Sequence, residues 1–428
     1  MSPDGGGAGG ALAVRLRAAI ARHLDDMTTP GDTLGVAVSG GGDSVALFLL
    51  LSDLAAVRGL RLHAVTVDHR LRPEAADEAR SVAAMAARLG HPHDTLGWCG
   101  WDGAGNLQDA ARRARYALMT DWARSRDIGK IALGHTADDQ AETVLMRLGR
   151  AAGVDGLSGM KARREVDGIA LLRPMLDLRR DDLRAYLTAR GEGWADDPSN
   201  DDPAYDRIRV RQAMADLEPL GLTVPALAQV ASNMADIRAA LDHTVRQALR
   251  DHATITCSGD LLFDRAAFAA LPVELRRRIA LAALRWIAGP GYPPRGVALS
   301  GFLDRLAAGG AATLAGCHAR AEGVVLRFCR EAGAVAACRA APGATWDGRW
   351  RLTGPDAAGA EVRALGPEGL ARCDAWRDTG HPRLSLIATP ALWRDDTLLA
   401  APLAGGRNGW QAHLLRGRDA LDVAAAAH

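Results

Sequence analysis

Short apolar runs bounded by glycine and polar turns alternate with amphipathic stretches over roughly the first 180 residues. Thr33 to Val38 is uniformly apolar apart from its first residue and predicts a buried strand, and Val45 to Leu51 predicts a packed helix. Leu62 to Val67 predicts a second strand. Glu74 to Leu89 follows as a helix whose Ala75, Ala79, Val82, Ala86 and Leu89 share one face. Leu107 to Arg126 repeats that spacing with Leu107, Ala111, Ala114 and Leu118. Lys130 to Gly134 predicts another strand, leading into a helix from Asp138 to Leu148. Such alternation predicts an α/β fold with a parallel, doubly wound sheet, whose ligands gather at the carboxyl ends of the strands.

Further along, Asp181 to Gly191 predicts a helix, and Asp196 to Asp202 a polar loop. From about Leu217 the pattern changes to long Ala/Leu helices, including Leu227 to Leu249 and Leu275 to Ile287. Gly289-Pro290-Gly291 and Pro293-Pro294 interrupt them. Beyond Ala340, short apolar runs between Gly, Pro and Asp, with Trp346, Trp350, Trp376, Trp393 and Trp410, predict a small, mostly β domain. The expected organisation is a tail and leading helix at 1–30, the α/β domain at 31–215, a mainly helical domain at 216–335, and the β domain at 336–428.

The turn Ser39-Gly40-Gly41-Gly42-Asp43-Ser44 lies between the first strand and its helix. A glycine-rich turn there directs backbone N–H groups and the positive end of the helix at one point, where an anion can sit. Ser39 and Ser44 can add hydroxyl donors. A Walker loop needs Gly-Lys-Ser/Thr, and the chain's two lysines, Lys130 and Lys161, are far from this turn.

A second cluster is His135-Thr136-Ala137-Asp138-Asp139-Gln140-Ala141-Glu142-Thr143. On a helix, Asp138 and Glu142 stand four apart and Asp139 and Glu142 three apart, so the carboxylates share a face. Capping is the simple role for Asp138. Three acids and a histidine exceed what a cap requires, and beside a polyphosphate they point to Mg²⁺ binding or to recognition of an ammonium group. Asp68-His69-Arg70-Leu71-Arg72-Pro73 forms a basic loop after the second strand. Asn106 precedes a helix on which Arg112 and Arg115 share a face with Tyr116 beside them, suited to phosphate contact and stacking. Arg207, Arg209 and Arg211 alternate along a further basic edge.

The chain has 428 residues, 48% of them hydrophobic, enough for two or three domains with sizeable cores. A net charge of +1 carries no global nucleic-acid signature, so RNA contact must come from local arginine clusters. Six cysteines, Cys99, Cys257, Cys317, Cys329, Cys338 and Cys373, include no Cys-x-x-Cys pair. That argues against structural zinc or an iron–sulfur cluster and for reduced thiols in a cytoplasmic protein. Met1 to Gly10 reads as a flexible glycine-rich tail and not a signal peptide, and no stretch has the apolar length of a membrane span.

The pattern Ser-Gly-Gly-x-Asp-Ser resembles the PP-loop of the ATP pyrophosphatases. Together with His69-Arg70-Leu71-Arg72-Pro73, Ala111 to Tyr116, His135 to Thr143, Arg173-Pro174-Met175-Leu176, Asp197 to Asn200 and Arg207 to Arg211, it resembles the tRNA(Ile)-lysidine synthetase family over about Leu34 to Arg211. Two stretches depart from the family pattern. Arg150-Ala151-Ala152-Gly153 stands where the family has Arg-Gly-Ser/Thr-Gly, and Ile208 stands where it usually has Asn.

The resemblance implies an ATP- and Mg²⁺-dependent ligase that joins L-lysine to C2 of the wobble cytidine in the CAU anticodon of an isoleucine tRNA. ATP adenylates the cytidine O2 with loss of pyrophosphate, and the lysine amine then displaces AMP. It implies ATP contacts from Ser39, Gly40, Gly41, Gly42, Asp43, Ser44 and His69, and tRNA contacts from Arg112, Arg115, Tyr116, Arg207, Arg209 and Arg211. Asp43, Asp139 and Glu142 are the implied catalytic acids, with Asp43 and Asp139 as Mg²⁺ ligands. Asp138, Asp139 and Glu142 could equally hold the lysine ammonium, and the acidic patch could accept its proton. A tRNA thiolase would need cysteine pairs, a small-molecule amide ligase leaves the arginines and the C-terminal half unexplained, and a non-catalytic nucleotide-binding module would not release pyrophosphate.

Overall fold

The computed structural model describes residues 5–70, 75–99, 101, 107–195, 206–289, 291, 294 and 296–426. It divides into two compact units, Met1–Arg238 and Ala239–His428. The expected features at Leu71, Arg72, Pro73, Asn106 and Asp197 to Asn200 lie outside the described residues.

The first unit runs α1 (Gly5–Asp25), β1 (Thr33–Ala37), α2 (Gly42–Arg58), β2 (Arg61–Asp68), α3 (Ala75–Arg88), β3 (His93–Gly97) and α4 (Leu107–Ser125). It continues with β4 (Lys130–Ala132), α5 (Ala137–Leu148), α6 (Val154–Leu157), β5 (Arg163–Val166), β6 (Ile169–Leu172), α7 (Arg180–Arg190) and α8 (Asp206–Leu217). Among the described residues its sheet has the order β3-β2-β1-β4-β6-β5. All pairings are parallel except the β5–β6 hairpin.

Strand residues alternate between two cores, as period-two geometry requires. Leu34, Val36, Leu62, Ala64 and Ala132 pack under α1, α2, α3 and α7. Val65, Ile131, Leu133, Ile169 and Leu171 pack with Met119, Trp122 and Ala123 of α4. Both faces are covered, so the strands read as continuous apolar runs. Gly35 admits the Trp122 ring, since a Cβ there would lie 3.0 Å from its Cζ3.

The chain reverses its direction of strand addition at β1 and β4, and such a switch point opens a crevice at the carboxyl ends. The glycine-rich turn leaves β1 there and α5 leaves β4 beside it. Gly134 lets the two approach, because a Cβ would sit 3.0 Å from Ser44 Cα and 3.1 Å from the Asp43 carbonyl oxygen.

One expectation needs correction, and three strands go unread. Gly5 to Gly10 belongs to α1 and not to a flexible tail, and Gly9 packs toward α7, where its Cβ would lie 3.4 Å from Ala189 Cβ. The strand β3, only partly buried, and β5, largely exposed, carry too little apolar periodicity to be read from the sequence, and β6 is a buried apolar run of only four residues. The middle of the chain is helical, as expected, with short strands between its helices.

The helix α9 (Val224–His252) spans the division, and in the second unit β7 (Ala253–Ile255), β8 (Leu261–Asp264), α10 (Arg265–Ala270), α11 (Val273–Ala288) and α12 (Gly296–Ala307) follow. With β9 (Ala311–Leu314), β10 (Cys317–Glu322) and β11 (Val325–Arg330) they build an antiparallel sheet of order β7-β8-β11-β10-β9. Its strands have three to six residues, too short to separate from helical apolar runs by pattern.

Beyond α13 (Ala332–Val335), the strands β12 (Thr345–Trp346), β13 (Trp350–Thr353), β14 (Glu361–Ala364), β15 (Pro390–Arg394), β16 (Thr397–Ala400) and β17 (Gln411–Leu414) form two three-stranded sheets, as a mostly β region predicts. Among the described residues no helix is long and apolar enough to cross a membrane.

Gly134→Ala should cost about 1–3 kcal/mol, because the added methyl meets backbone atoms that cannot rotate away. Urea unfolding measures this, and an unchanged midpoint would show that β4 and α2 are not closely apposed.

Candidate active site

The turn after β1 is tied into one shape by its own polar groups. Val38 N–H donates to Val65 O at 2.9 Å, prolonging the β1–β2 ladder by one residue. Gly40 then takes φ 90°, a conformation glycine adopts without strain, and its carbonyl accepts from Ala195 N–H at 3.0 Å. Ser44 Oγ accepts from Ser39 N–H at 3.1 Å and donates to Gly41 O at 2.8 Å. Ser39 Oγ lies 3.2 Å from Ser44 Oγ and, with the Ser44 proton already committed, is the donor of that pair. Both hydroxyl protons expected for a ligand are therefore used inside the turn. The first-turn N–H groups of α2 are preceded by Gly41 with no side-chain cap, the arrangement an anion seat requires.

Across the switch point, α5 starts with a capping box. Thr136 N–H and Oγ1–H donate to Asp139 Oδ2 at 2.8 and 3.0 Å, and Asp139 N–H returns a bond to Thr136 Oγ1 at 3.4 Å. The capping role expected of Asp138 thus falls to Asp139. Asp138 caps a different helix, since its Oδ2 accepts from Arg180 N–H at 2.8 Å at the start of α7.

Arg180 occupies the centre of the acidic group. Its Nε is 3.1 Å from Asp43 Oδ2, and its terminal nitrogens are 3.5 Å from Asp139 Oδ1 and from Glu142 Oε1. Burial pushes Asp43 above the ordinary carboxylate value, and Asp139 and Asp138 add to that, against the opposing pull of Arg180. Burial works in the same direction on Asp139, but Arg180, His135, Arg207 and the Thr136 N–H outweigh it and hold this carboxyl below the ordinary value. Burial would lower Arg180, yet Asp43, Asp139 and Glu142 raise its pKa far above that of a free guanidinium.

The Arg207-Arg209-Arg211 alternation does not form one basic edge. These residues lie on α8, and a helical period places Arg207 and Arg211 together with Arg209 elsewhere. Arg207 Nε and Arg211 Nε pair with Glu142 at 3.1 and 2.8 Å. Glu142, 2% exposed, so faces three guanidinium groups. Arg209 pairs with exposed Asp206. Ile208 is buried, so an apolar residue suits that departure from the family pattern. Ala151, where the pattern carries glycine, has φ 53°, in the left-handed region that favours glycine.

A cationic wall stands on the other side. Arg112 and Arg115 lie over the Tyr116 ring at 5.3 and 5.8 Å from its centroid, as their spacing on α4 predicts. Burial, Arg112 and Arg207 lower Arg115, while burial of Tyr116 is overcome by Arg112, Arg115 and Arg173, which favour its phenolate. His135 is pushed down to about 3 by burial, aided by Arg173, Arg207 and Arg115 and opposed by Asp139. His69 stacks edge-on against Trp98 with centroids 5.6 Å apart, and its buried Nδ1 has no hydrogen-bond partner. Burial and Arg115 keep it neutral-leaning, against the pull of Asp68.

The sequence reading missed Arg180 and the contacts of Arg173. One signal for Arg180 was legible, an arginine at the start of a predicted helix, where the macrodipole disfavours a cation unless carboxylates surround it. Among the described residues, no three His, Cys, Asp or Glu side chains converge as a metal site. Asp43 and Asp139 nevertheless direct one oxygen each at the same guanidinium.

Residues 13–218 match the PP-loop domain family. The tRNA(Ile)-lysidine synthase of Ruegeria pomeroyi is 52% identical over 390 residues, which are 91% of this chain and 93% of that protein. That of Bradyrhizobium diazoefficiens is 42% identical over 289 residues, 65% of this chain and 80% of that protein. The U34-tRNA thiolase NcsA from Methanococcus maripaludis overlays with a TM-score of 0.46 at 15% identity, over 53% of this chain and 78% of that one.

The two aspartates should respond oppositely to neutralisation. A carboxyl raised in the folded state, as in Asp43, contributes stability below the ordinary value of 3.8 that is lost as pH rises through the raised value. Asp139, held below 3.8, contributes stability above it that is lost as pH falls through the lowered value. At pH 7, Asp43→Asn should therefore leave the urea midpoint unchanged or higher, and Asp139→Asn should lower it. A lower midpoint for Asp43→Asn would contradict this electrostatic balance.

Proposed function

We propose a reaction for this site from one premise, that the chain belongs to the tRNA(Ile)-lysidine synthase family. It joins the amine of L-lysine to C2 of the wobble cytidine in the CAU anticodon of an isoleucine tRNA, consuming ATP and releasing AMP and pyrophosphate. The observation that carries this reading is the pairing of an anion-binding turn with an acidic group and a cationic wall around one switch point.

In the first step the cytidine O2 attacks the α-phosphorus of ATP and pyrophosphate leaves. The N–H groups of Gly40 to Ser44 and the start of α2 hold the departing phosphates and stabilise their growing charge. His69, half-buried with an unpartnered ring nitrogen, is left to contact the nucleotide. Arg112, Arg115 and Tyr116 supply positive and planar partners for an unstacked anticodon base.

In the second step the lysine amine attacks C2 and AMP departs. The acidic group attracts the ammonium form, and a carboxylate takes the proton as the amine becomes nucleophilic. Glu142, paired with three arginines, clamps α8 onto α5. With Asp138 and Asp139 it meets the amine. Two hard oxygen donors, Asp43 Oδ2 and Asp139 Oδ1, already share one cationic partner, which suits the one or two carboxylates that Mg²⁺ takes alongside phosphate. Bound there, Mg²⁺ would neutralise charge on the polyphosphate.

The test is formation of lysine-modified cytidine in an isoleucine tRNA with a CAU anticodon, followed by mass spectrometry of the nucleosides, together with pyrophosphate release. Asp43→Ala should abolish both. Glu142→Gln should cut turnover by about two orders of magnitude. It should spare tRNA affinity, because Arg207 and Arg211 are released from pairing. Equal loss of turnover and tRNA affinity would make Glu142 a structural residue only.

Phosphate contact by the wall, and separately by Arg209 on α8, has a salt signature. Arg112→Ala and Arg209→Ala should each weaken tRNA binding and reduce the slope of log affinity against log salt by about 0.7–0.9. Substrate choice should survive Arg209→Ala, since backbone contacts position and base contacts specify. Unchanged slopes in both variants would return these arginines to ordinary solvated surface.

A further inference from the structure

The register of β4 against β6 pairs Lys130 with Ala170, Ile131 with Leu171 and Ala132 with Leu172. His135 and Arg173, which follow these strands, therefore emerge side by side at the carboxyl edge of the sheet. Arg173 Nε donates to His135 Nδ1 at 3.2 Å. Arg173 is itself held in place, being 3% exposed, with one terminal nitrogen donating to Lys161 O at 2.8 Å and a hydrogen bond to the Tyr116 phenol.

A guanidinium has only donors and keeps its charge. His135 Nδ1 must accept from it, so the single proton of the neutral ring sits on Nε2. A positive charge on the ring is disfavoured by burial and by Arg173, Arg207 and Arg115, with Asp139 pulling the other way.

We propose that Arg173 is a positioning residue that fixes His135 as its Nε2–H tautomer, so that the ring presents a neutral N–H donor to a substrate oxygen during adenyl transfer. This rests on the reaction proposed above. A donor that stays neutral suits an oxygen gaining charge among several arginines, because it adds a hydrogen bond without a further repelling cation. The oxygen that gains charge in this step is a phosphate oxygen, since the cytidine O2 gives electron density to phosphorus as pyrophosphate leaves.

The first test is two-bond ¹H–¹⁵N NMR of the labelled imidazole rings at pH 7, with His135 assigned by its loss in His135→Gln. The wild type should show a protonated Nε2 and a bare Nδ1. Arg173→Met and Arg173→Gln are both made, and circular dichroism identifies the folded variant, in which His135 should show mixed tautomers or a protonated ring. The second test is a double-mutant cycle on turnover. The Gln of His135→Gln carries its own N–H donor near the place of Nε2, so it needs no tautomer control. Loss of Arg173 should cost about 10- to 100-fold in the wild-type background and only a few-fold in His135→Gln. An unchanged tautomer, or equal losses in both backgrounds, would overturn the proposal. If the wild type makes no lysidine, the reaction reading fails, whereas the NMR result still decides whether Arg173 sets the tautomer.

Discussion

One guanidinium, that of Arg180, holds the acidic side of the site in a single arrangement. It reaches Asp43 on α2 and both Asp139 and Glu142 on α5, while its own backbone N–H is capped by Asp138. Without it, carboxylates from two helix starts would face one another across the switch point. Unit charges about 4 Å apart interact by about 4 kcal/mol at an effective dielectric near 20. A cation at a helix N-terminus is disfavoured by only about 0.3–1 kcal/mol. The carboxylates win this comparison, so an arginine stands where helix electrostatics alone would exclude it. Removal of this arginine, which would leave three buried carboxylates uncompensated, costs about 3–5 kcal/mol, which couples the geometry of the turn to that of α5 and α7.

The site as a whole separates charge by sign. Carboxylates gather where α5 and α7 begin, and Arg112, Arg115 and Arg173 gather around Tyr116 and His135. The proposed reaction uses this separation. Its first step develops negative charge on phosphate and its second recruits an ammonium and removes a proton. Glu142, with Arg207 and Arg211 drawn onto it, forms the seam between the two sides and brings α8 to the site. The turn itself spends its serine hydroxyls on its own shape and leaves backbone N–H groups for the ligand, which makes it rigid before any ligand arrives.

Ionic networks also organise the second unit, and they show the same limit on what a sequence reveals. Asp260, pushed up by burial, is bonded to Ser258, to Ser385 of α15 (Arg383–Leu386) at 2.5 Å, and to Arg327 of β11 at 2.6 Å. Ser385 is 125 residues away along the chain, and no local pattern announces such a partner.

By itself the sequence determined the alternating strands and helices of the first unit, the glycine-rich turn, the capped acidic helix and the Arg112–Arg115–Tyr116 face. Each is a local property, set by apolar period, glycine conformation or spacing along one helix. The tertiary structure alone decided which of those elements meet. It carried the capping role from Asp138 to Asp139, turned the Arg207 to Arg211 alternation into two faces of a helix, and placed Arg180 among the carboxylates. It also set Arg173 against His135. These outcomes depend on strand order and register, and on Coulomb and hydrogen-bond partners that are distant in sequence. A buried charge is stable only where such partners surround it, and their identity is fixed only once the chain has folded.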